Sequence, residues 1–159
     1  NACHRVKDDA HARFSAEKRG YLYYVHQKKS PFLNELSYFH PYDLDIKAMN
    51  QAAELFLGEK DFKSFSRVKT EVDHFRCTVH LAHWYQEEDQ WVFEVEANRF
   101  LRGMVRAMVG TLLLVGRKKL TEADLVSILE QQDRTKAGSA APPQALYLNR
   151  VDYPQDIYL

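Results

Sequence analysis

Four short stretches of the chain are rich in aromatic and β-branched residues or alternate between apolar and polar positions, which predicts β-strands. Two central stretches alternate regularly. One face of the first would carry Cys77, Val79 and Leu81, and one face of the second would carry alternate residues from Trp91 to Ala97. The polar residues between them predict a tight turn and a β-hairpin. The predicted strands are Arg19–His26, Phe75–Tyr85, Gln90–Ala97 and Ala145–Tyr153.

Apolar residues at helical spacing predict three helices with suitable residues at their ends. Asp43 or Asp45 can cap the first helix, and Gly58 can end it. Thr121 can cap the third, with Asp124 at the third position. The helices are predicted over Asp43–Leu57, from an Asn98 cap to about Val115 before Gly116, and from Thr121 to about Gln132. The core face of the second would consist of Leu101, Met104 or Val105, Met108, Leu112 and Val115.

The predicted elements follow the order strand, helix, two strands, two helices, strand. This order is typical of an α+β domain with helices packed on one face of a mainly antiparallel sheet. A chain of 159 residues has the size of one domain and can bury a substantial core. We therefore predict a single α+β domain over residues 1–159.

Composition narrows the class of protein further. No apolar run approaches the roughly 18 residues that a membrane span needs, and the polar start predicts no signal peptide. Two cysteines fit a reducing cytoplasm better than a disulfide scaffold. The formal net charge is zero, which argues against a free-standing, non-specific nucleic-acid binder but allows a locally basic face. Because residue 1 is Asn, we expect a fragment of a longer chain.

Two groups of residues could suggest metal or thiol chemistry. Histidines and a cysteine recur every third residue at His74, Cys77, His80 and His83. A strand repeats every two residues, so these side chains would point to both faces, and we interpret them as ordinary strand residues and predict no metal. Cys77 falls on the apolar face and should pack as a small hydrophobe, whereas Cys3 lies near the terminus.

Arginines and tyrosines offer a second kind of candidate. Arg99, Arg102 and Arg106 would share one stripe of the long helix. The first two are typical of a solvent face, but Arg106 lies among apolar residues, and a buried guanidinium needs an anionic partner that the neighbouring sequence does not supply. The tyrosines of the first strand could belong to the core or the sheet surface, or could stack on a base; they are Tyr21, Tyr23 and Tyr24.

Three segments resemble motifs of one enzyme family, and a fourth resembles it less closely. Residues 11–23 read HARFSAEKRGYLY, residues 98–116 read NRFLRGMVRAMVGTLLLVG, and residues 133–153 read DRTKAGSAAPPQALYLNRVDY. The weaker match is LGEKDFKSF at residues 57–65. Together and in this order, they are similar to the C-terminal half of tRNA pseudouridine synthases of the TruA family.

The resemblance implies that the whole protein isomerises uridine to pseudouridine in the anticodon stem-loop of tRNA, at positions 38 to 40. It implies a cytoplasmic homodimer that uses no metal or organic cofactor. The family's catalytic aspartate lies in an RTDAGVHA-like motif, which this chain lacks. We do not assign Asp133 to that role, because Asp133-Arg134-Thr135 belongs to the closing segment. We therefore expect that the fragment is inactive alone.

The resemblance also assigns roles to particular residues. Tyr21 matches the tyrosine that stacks on the target base, and Arg106 matches the arginine that pairs with the catalytic aspartate, a contact that would orient and ionise the carboxylate. Leu146 matches the apolar residue beneath the target nucleotide, with Leu148 as the competing choice. The motif arginines Arg13, Arg19 and Arg102 are further candidates for RNA contacts.

Two positions depart from the family pattern. Ala145 replaces the usual glycine, which implies that no positive φ is needed there, and Lys60 replaces a common histidine. Two other functions remain open. The chain could be a non-catalytic RNA-binding domain of the same fold, which its zero net charge disfavours. It could also be a purely structural domain, which would not explain Arg106.

Overall fold

The computed structural model describes residues 3–67 and 72–159. Within these ranges the chain forms a mixed β-sheet and α-helices, which confirms the predicted α+β class. The strands are β1 Lys18–His26, β2 Tyr38–Phe39, β3 Gly58–Asp61, β4 Arg76–Glu87, β5 Gln90–Ala97 and β6 Leu146–Asp152. The helices are α1 Ile46–Glu54, α2 Met104–Gly116 and α3 Glu122–Gln131.

The sheet is built around β1, which pairs with three other strands. The strand order is β2-β1-β5-β4-β3, and β6 pairs with the first part of β1 on the side away from β5. The described pairings are antiparallel except that of the two-residue strand β2, which runs parallel to β1. The predicted mainly antiparallel sheet is confirmed, although the sequence pattern did not predict β2 or β3.

One face of the sheet and the helices enclose the core. Tyr23, Phe93 and Trp84 lie in register on three neighbouring strands and are buried on this face. Helix α2 buries ten of its thirteen residues, which is typical of a helix at the centre of a domain rather than on its surface. The predicted core positions of this helix and its preceding loop are all buried: Leu101, Met104, Val105, Met108, Leu112 and Val115.

The predicted hairpin of β4 and β5 is confirmed, but its register shifts within β4. Val79 pairs with Ala97, whereas Leu81 pairs with Glu96, so a bulge lies between these pairs. A bulge places an extra residue in one strand and exchanges the faces beyond it. Leu81 is therefore only half-buried, and Ala82 and the residues that alternate after it face the core.

Helix α1 is shorter than predicted. Of the two candidate caps, Asp45 is the N-cap, and its carboxylate accepts a hydrogen bond from the Ala48 N–H. The helix ends at Glu54, and the predicted stop residue Gly58 instead begins β3 with a φ of +85°. A four-residue polar edge strand has too little hydrophobic pattern to be predicted from sequence.

Helix α2 begins six residues after the predicted cap, at Met104. Asn98 is wrong as the cap because it closes the β4–β5 pair: its N–H donates to the Thr78 carbonyl, and its amide oxygen accepts from the Thr78 N–H. Residues 99–103 form a loop that ends at Gly103, whose φ of +77° starts the helix. Leu101 is buried from this loop, which explains its apolar character without a helix.

Gly116 is the last residue of α2 and not a left-handed terminator. A Cβ at this position would lie 2.4 Å from the Met49 sulfur, so glycine allows α1 to pack closely on α2. The left-handed residue after the helix is Lys118, with a φ of +57°. By contrast, α3 starts as predicted, with a complete capping box between Thr121 and Asp124.

None of the helices in the described part of the chain is both long and apolar enough to cross a bilayer.

Candidate active site

An open cleft of about 1450 Å³ lies between β1, the loop before α2, the first turn of α2 and the start of β6. Tyr21, Arg106 and Leu146 all line it. These three residues come from three of the motifs that suggested a function and lie far apart in the sequence. The fold thus brings them to one cavity, while their individual roles remain predictions.

Tyr21 presents a half-buried ring to the cleft from the middle of β1. The strand is held on both sides, by Val95 of β5 and by Leu148 of β6. The ring meets Phe100 edge-on, with centroids 5.1 Å apart and planes at 90°. This arrangement is favourable for two aromatic rings and restrains the orientation of Tyr21.

Arg106 lies in the first turns of α2 and is half-buried. Its Nε donates a hydrogen bond to the carbonyl of Ala141, and its own carbonyl accepts one from the Ala141 N–H at 2.9 Å. No carboxylate of the described residues forms an ion pair with its guanidinium. Within the described chain, the terminal nitrogens are therefore available to an anion that enters the cleft.

The structure distinguishes between the two leucine candidates by their position. Leu146 is half-buried, packs against the core and lines the cleft. Leu148 is 57% exposed and is not among the described residues that line the cleft. Leu146 therefore lies at the cleft, and its role beneath a bound nucleotide stays a prediction. The preceding Ala145 has no positive φ, as its departure from the family pattern implied.

Positive charge predominates in the cleft although the whole chain is neutral. Of the described residues that line it, five are arginines and two are carboxylates, Glu17 and Asp73. The arginines are Arg13, Arg19, Arg99, Arg102 and Arg106. A basic cleft attracts polyanions such as the RNA backbone, and it concentrates this attraction at one site.

The three arginines that were candidates for RNA contacts differ in their surroundings. The guanidinium of Arg13 lies 5.3 Å from the centroid of the Phe14 ring, and Arg102 is exposed. Arg19 donates to the carbonyls of Arg13, Ala16 and Asn98, so its guanidinium already binds the protein's own backbone. RNA contacts by all three remain predictions, but Arg19 also has a structural role.

The predicted helical stripe of three arginines is wrong. Because α2 starts at Met104, Arg99 and Arg102 belong to the preceding loop, and only Arg106 lies on the helix. All three nevertheless reach the same cleft. Arg99 is half-buried, and its guanidinium nitrogen Nη1 lies 3.4 Å from Nε2 of the His74 ring.

Two aromatic residues of the cleft were not singled out from the sequence as site residues. Phe100 restrains Tyr21, and Phe14 lines the cleft with 74% of its surface exposed. Both lie inside the recognised motifs, next to Arg99 and Arg13. That position was the only signal in the sequence, because an isolated phenylalanine beside a predicted helix or strand is usually a core residue.

The remaining candidates for chemistry lie away from reacting groups. Cys77 is buried, which confirms that it packs as a hydrophobe, and burial raises the pKa of its thiol to about 11. In the part of the chain that is described, no cluster of histidine, cysteine or acidic residues could hold a metal ion. Asp133 accepts hydrogen bonds from the Thr135 N–H and hydroxyl, which lower its pKa, and it does not line the cleft.

Comparison with known proteins assigns the chain to a family. A family model described as tRNA pseudouridine synthase matches residues 52–154. A tRNA pseudouridine synthase A of Bacteroides fragilis is 50% identical over 155 residues, which cover 97% of this chain and 62% of that protein. A relative of the same name from Anoxybacillus flavithermus is 43% identical over 149 residues, covering 93% of this chain and 61% of that protein.

The chain therefore spans about three fifths of the length of the curated relatives that it matches. Because these matches cover nearly the whole chain, they include Tyr21, Arg106 and Leu146. The chain belongs to the tRNA pseudouridine synthase family.

Proposed function

We propose that the protein containing this chain converts uridine to pseudouridine in tRNA and that the cleft holds the target nucleotide. The observation that carries this proposal is the convergence of Tyr21, Arg106 and Leu146 on one basic cleft. An aromatic ring, an apolar side chain and a cation are the groups that a flipped uridine nucleotide would need around it.

The reaction is an isomerisation and needs no oxidant or reductant. The bond between ribose C1′ and uracil N1 breaks, and a bond between C1′ and uracil C5 forms. The proton on C5 leaves and N1 gains one, so the atoms balance. A carboxylate that acts at the ribose side must be ionised, and a guanidinium within hydrogen-bond distance favours the ionised form.

Each of the three residues has a role that its geometry supports. The half-buried ring of Tyr21, restrained by Phe100, offers a face on which the uracil can stack. Leu146 offers an apolar surface beside it. Arg106 donates a hydrogen bond from Nε to the Ala141 carbonyl, and this leaves the two terminal nitrogens of the guanidinium for an anion. We propose that this anion is the catalytic aspartate of an RTDAGVHA-like motif, from a part of the protein that this chain does not cover.

The resemblance extends the proposal to the substrate and the assembly. We propose that the substrate is the anticodon stem-loop, with uridines 38 to 40 as targets, and that the whole protein acts as a cytoplasmic homodimer without metal. We also propose that residues 1–159 form a single domain of that protein. The relatives are named for action on tRNA, and the basic cleft suits such a substrate.

The alternative function is a non-catalytic RNA-binding domain of the same fold. It shares the basic cleft but gives Arg106 no chemical role. A binding domain would need no carboxylate opposite Arg106, and replacing one cleft arginine would affect binding no more than replacing another. The two functions therefore differ in whether Arg106 affects turnover or only affinity.

The test is tritium release from tRNA that carries uridine labelled at C5, measured with the full-length protein. We expect wild-type protein to release tritium and the Arg106→Ala variant to lose at least about 100-fold in kcat, since this substitution removes the partner of a catalytic group. The matched control is Arg102→Ala, an exposed arginine of the same cleft. It should weaken tRNA binding and its salt dependence while kcat stays within about two-fold.

Near-normal tritium release by Arg106→Ala would contradict the role proposed for Arg106. No release by the wild-type protein, together with tight and salt-dependent tRNA binding, would favour the non-catalytic alternative.

A further inference from the structure

We propose that Thr111, five residues beyond Arg106 on α2, is a positioning residue that fixes the guanidinium of Arg106 through the segment 138–141. The inference rests on the proposed function, because it concerns how the cleft presents Arg106 to its anionic partner. Thr111 is fully buried and does not line the cleft, so it acts only through other residues.

Arg106 and Ala141 are in direct contact. Two hydrogen bonds join these residues, one from the Ala141 N–H to the Arg106 carbonyl and one from Arg106 Nε to the Ala141 carbonyl. The second bond uses one edge of the planar guanidinium and thereby sets the direction of the remaining nitrogens. The position of the Ala141 peptide group therefore decides where the guanidinium points.

A hydrogen bond attaches the segment 138–141 to α2. The Gly138 N–H donates to the Thr111 hydroxyl at 2.9 Å, and the same hydroxyl donates to the Ala107 carbonyl at 2.8 Å. Both bonds are buried, so water cannot replace them. A buried N–H without its acceptor is strongly unfavourable, and the loss of this hydroxyl would displace Gly138 from the helix.

The backbones of the segment 138–141 and of α2 approach each other closely. A Cβ at Gly110 would lie 1.9 Å from the Ser139 carbonyl oxygen, and a Cβ at Gly138 would lie 2.8 Å from the Gly110 carbonyl group. The segment therefore lies directly on the backbone of α2, without side chains between them. A small shift at Gly138 is transmitted along this short segment to Ala141.

The far end of the segment is attached to the sheet. The Tyr23 hydroxyl donates to the Pro142 carbonyl at 2.8 Å, whereas at the near end Arg134 donates to the Gly138 carbonyl at 3.1 Å. Thr111 and Tyr23 thus bind the two ends of this stretch of chain, at Gly138 and Pro142, and Ala141 lies between them. Tyr21 and Tyr23 both belong to β1, so the Tyr23 hydroxyl connects the strand that carries Tyr21 to the segment that contacts Arg106.

The experiment compares Thr111→Val with Thr111→Ser in the full-length protein. Valine keeps the shape and loses the hydroxyl, whereas serine keeps the hydroxyl. We expect Thr111→Val to lower kcat for tritium release on the order of 10-fold with an unchanged KM for tRNA, because misplacement of a catalytic group affects turnover rather than binding. Thr111→Ser should stay within about two-fold of wild type, and hydrogen exchange at residues 138–141 should be faster only in the valine variant.

Wild-type kcat in the valine variant, or an equal loss in the serine variant, would overturn the proposal. If the valine variant does not fold, Arg134→Met takes its place, since Arg134 also holds the start of the segment by donating to the Ala137 and Gly138 carbonyls. A lower kcat with unchanged KM supports the positioning of Arg106 by the segment 138–141, through which Thr111 acts, and an unchanged kcat overturns it. An inactive wild-type protein would refute the proposed function instead, while hydrogen exchange still reports whether Thr111 anchors the segment.

Discussion

Arg106 and Arg19 line the same cleft, but their guanidinium groups have different partners. Arg19 donates to three backbone carbonyls and holds the protein together around the cleft. Arg106 donates to one carbonyl and keeps its terminal nitrogens for an anion within the described part of the chain. The sequence predicted that Arg106 was unusual because of its apolar neighbours. It did not predict its partner Ala141, because that contact depends on how the closing segment packs on α2.

The two cysteines show how burial changes the chemistry of one residue type. Cys77 is 1% exposed, and burial raises the pKa of its thiol to about 11, while the charge of Arg99 opposes this effect. Cys3 is exposed. Because the raised pKa keeps the thiol protonated at neutral pH, Cys77 should be a poor nucleophile in the folded protein.

We therefore predict that a thiol reagent at pH 8 labels Cys3 and leaves Cys77 unmodified until the protein is unfolded. Peptide mass spectrometry of the labelled full-length protein measures both sites. As the pH rises towards 11, the thiolate fraction of Cys77 grows, so its labelling should become faster with pH. Labelling of Cys77 at the rate of Cys3 at pH 8 would contradict the burial.

At the scale of elements, regular periodicity was sufficient to predict most of the fold. The hairpin of β4 and β5, strand β1 and the capped helix α3 all have strong local signals, and all are confirmed. The errors have local physical causes. A bulge exchanged the faces of β4, Asn98 closed a strand pair rather than a helix, and β2 and β3 are too short for a pattern of their own.

The segment before β1 is a structural element whose basis the sequence pattern did not reveal. His11 accepts hydrogen bonds from the N–H groups of Arg13 and Phe14, and the Ser15 hydroxyl accepts from the His11 N–H, so the segment closes as a turn. Arg19 then attaches this turn to the rest of the molecule through the Arg13, Ala16 and Asn98 carbonyls. The turn forms one wall of the cleft.

We predict that Arg19→Met loosens this wall and destabilises the protein by about 1–3 kcal/mol, since hydrogen bonds from a charged donor are lost. Hydrogen exchange at residues 13–17 should become faster, and the midpoint of urea unfolding should fall. The matched control is Arg13→Met, whose exposed side chain contacts the Phe14 ring. Equal effects of the two substitutions would mean that the hydrogen bonds of Arg19 do not hold this wall of the cleft in place.

At the scale of the whole molecule, charge is distributed unevenly although its sum is zero. Of the residues that the structure describes, five arginines and two carboxylates line the cleft, whereas basic and acidic residues are equal in number over the whole sequence. Zero net charge argued only against a free-standing, non-specific nucleic-acid binder, and the cleft is a locally basic face of the kind that it allowed. The ordered motifs predicted which residues share the cleft, but the packing of Gly110 against Gly138 could only be seen in the structure, because it brings two distant backbones together.

We propose that this cleft becomes an active site when a carboxylate from outside this chain pairs with Arg106. A crystal structure of the full-length protein measures this directly. We predict an aspartate of an RTDAGVHA-like motif with a carboxylate oxygen within about 4 Å of the Arg106 guanidinium nitrogens, a normal ion-pair distance, and facing the ring of Tyr21. A structure in which Arg106 pairs with another group, or in which that aspartate lies outside the cleft, would contradict the proposed pairing.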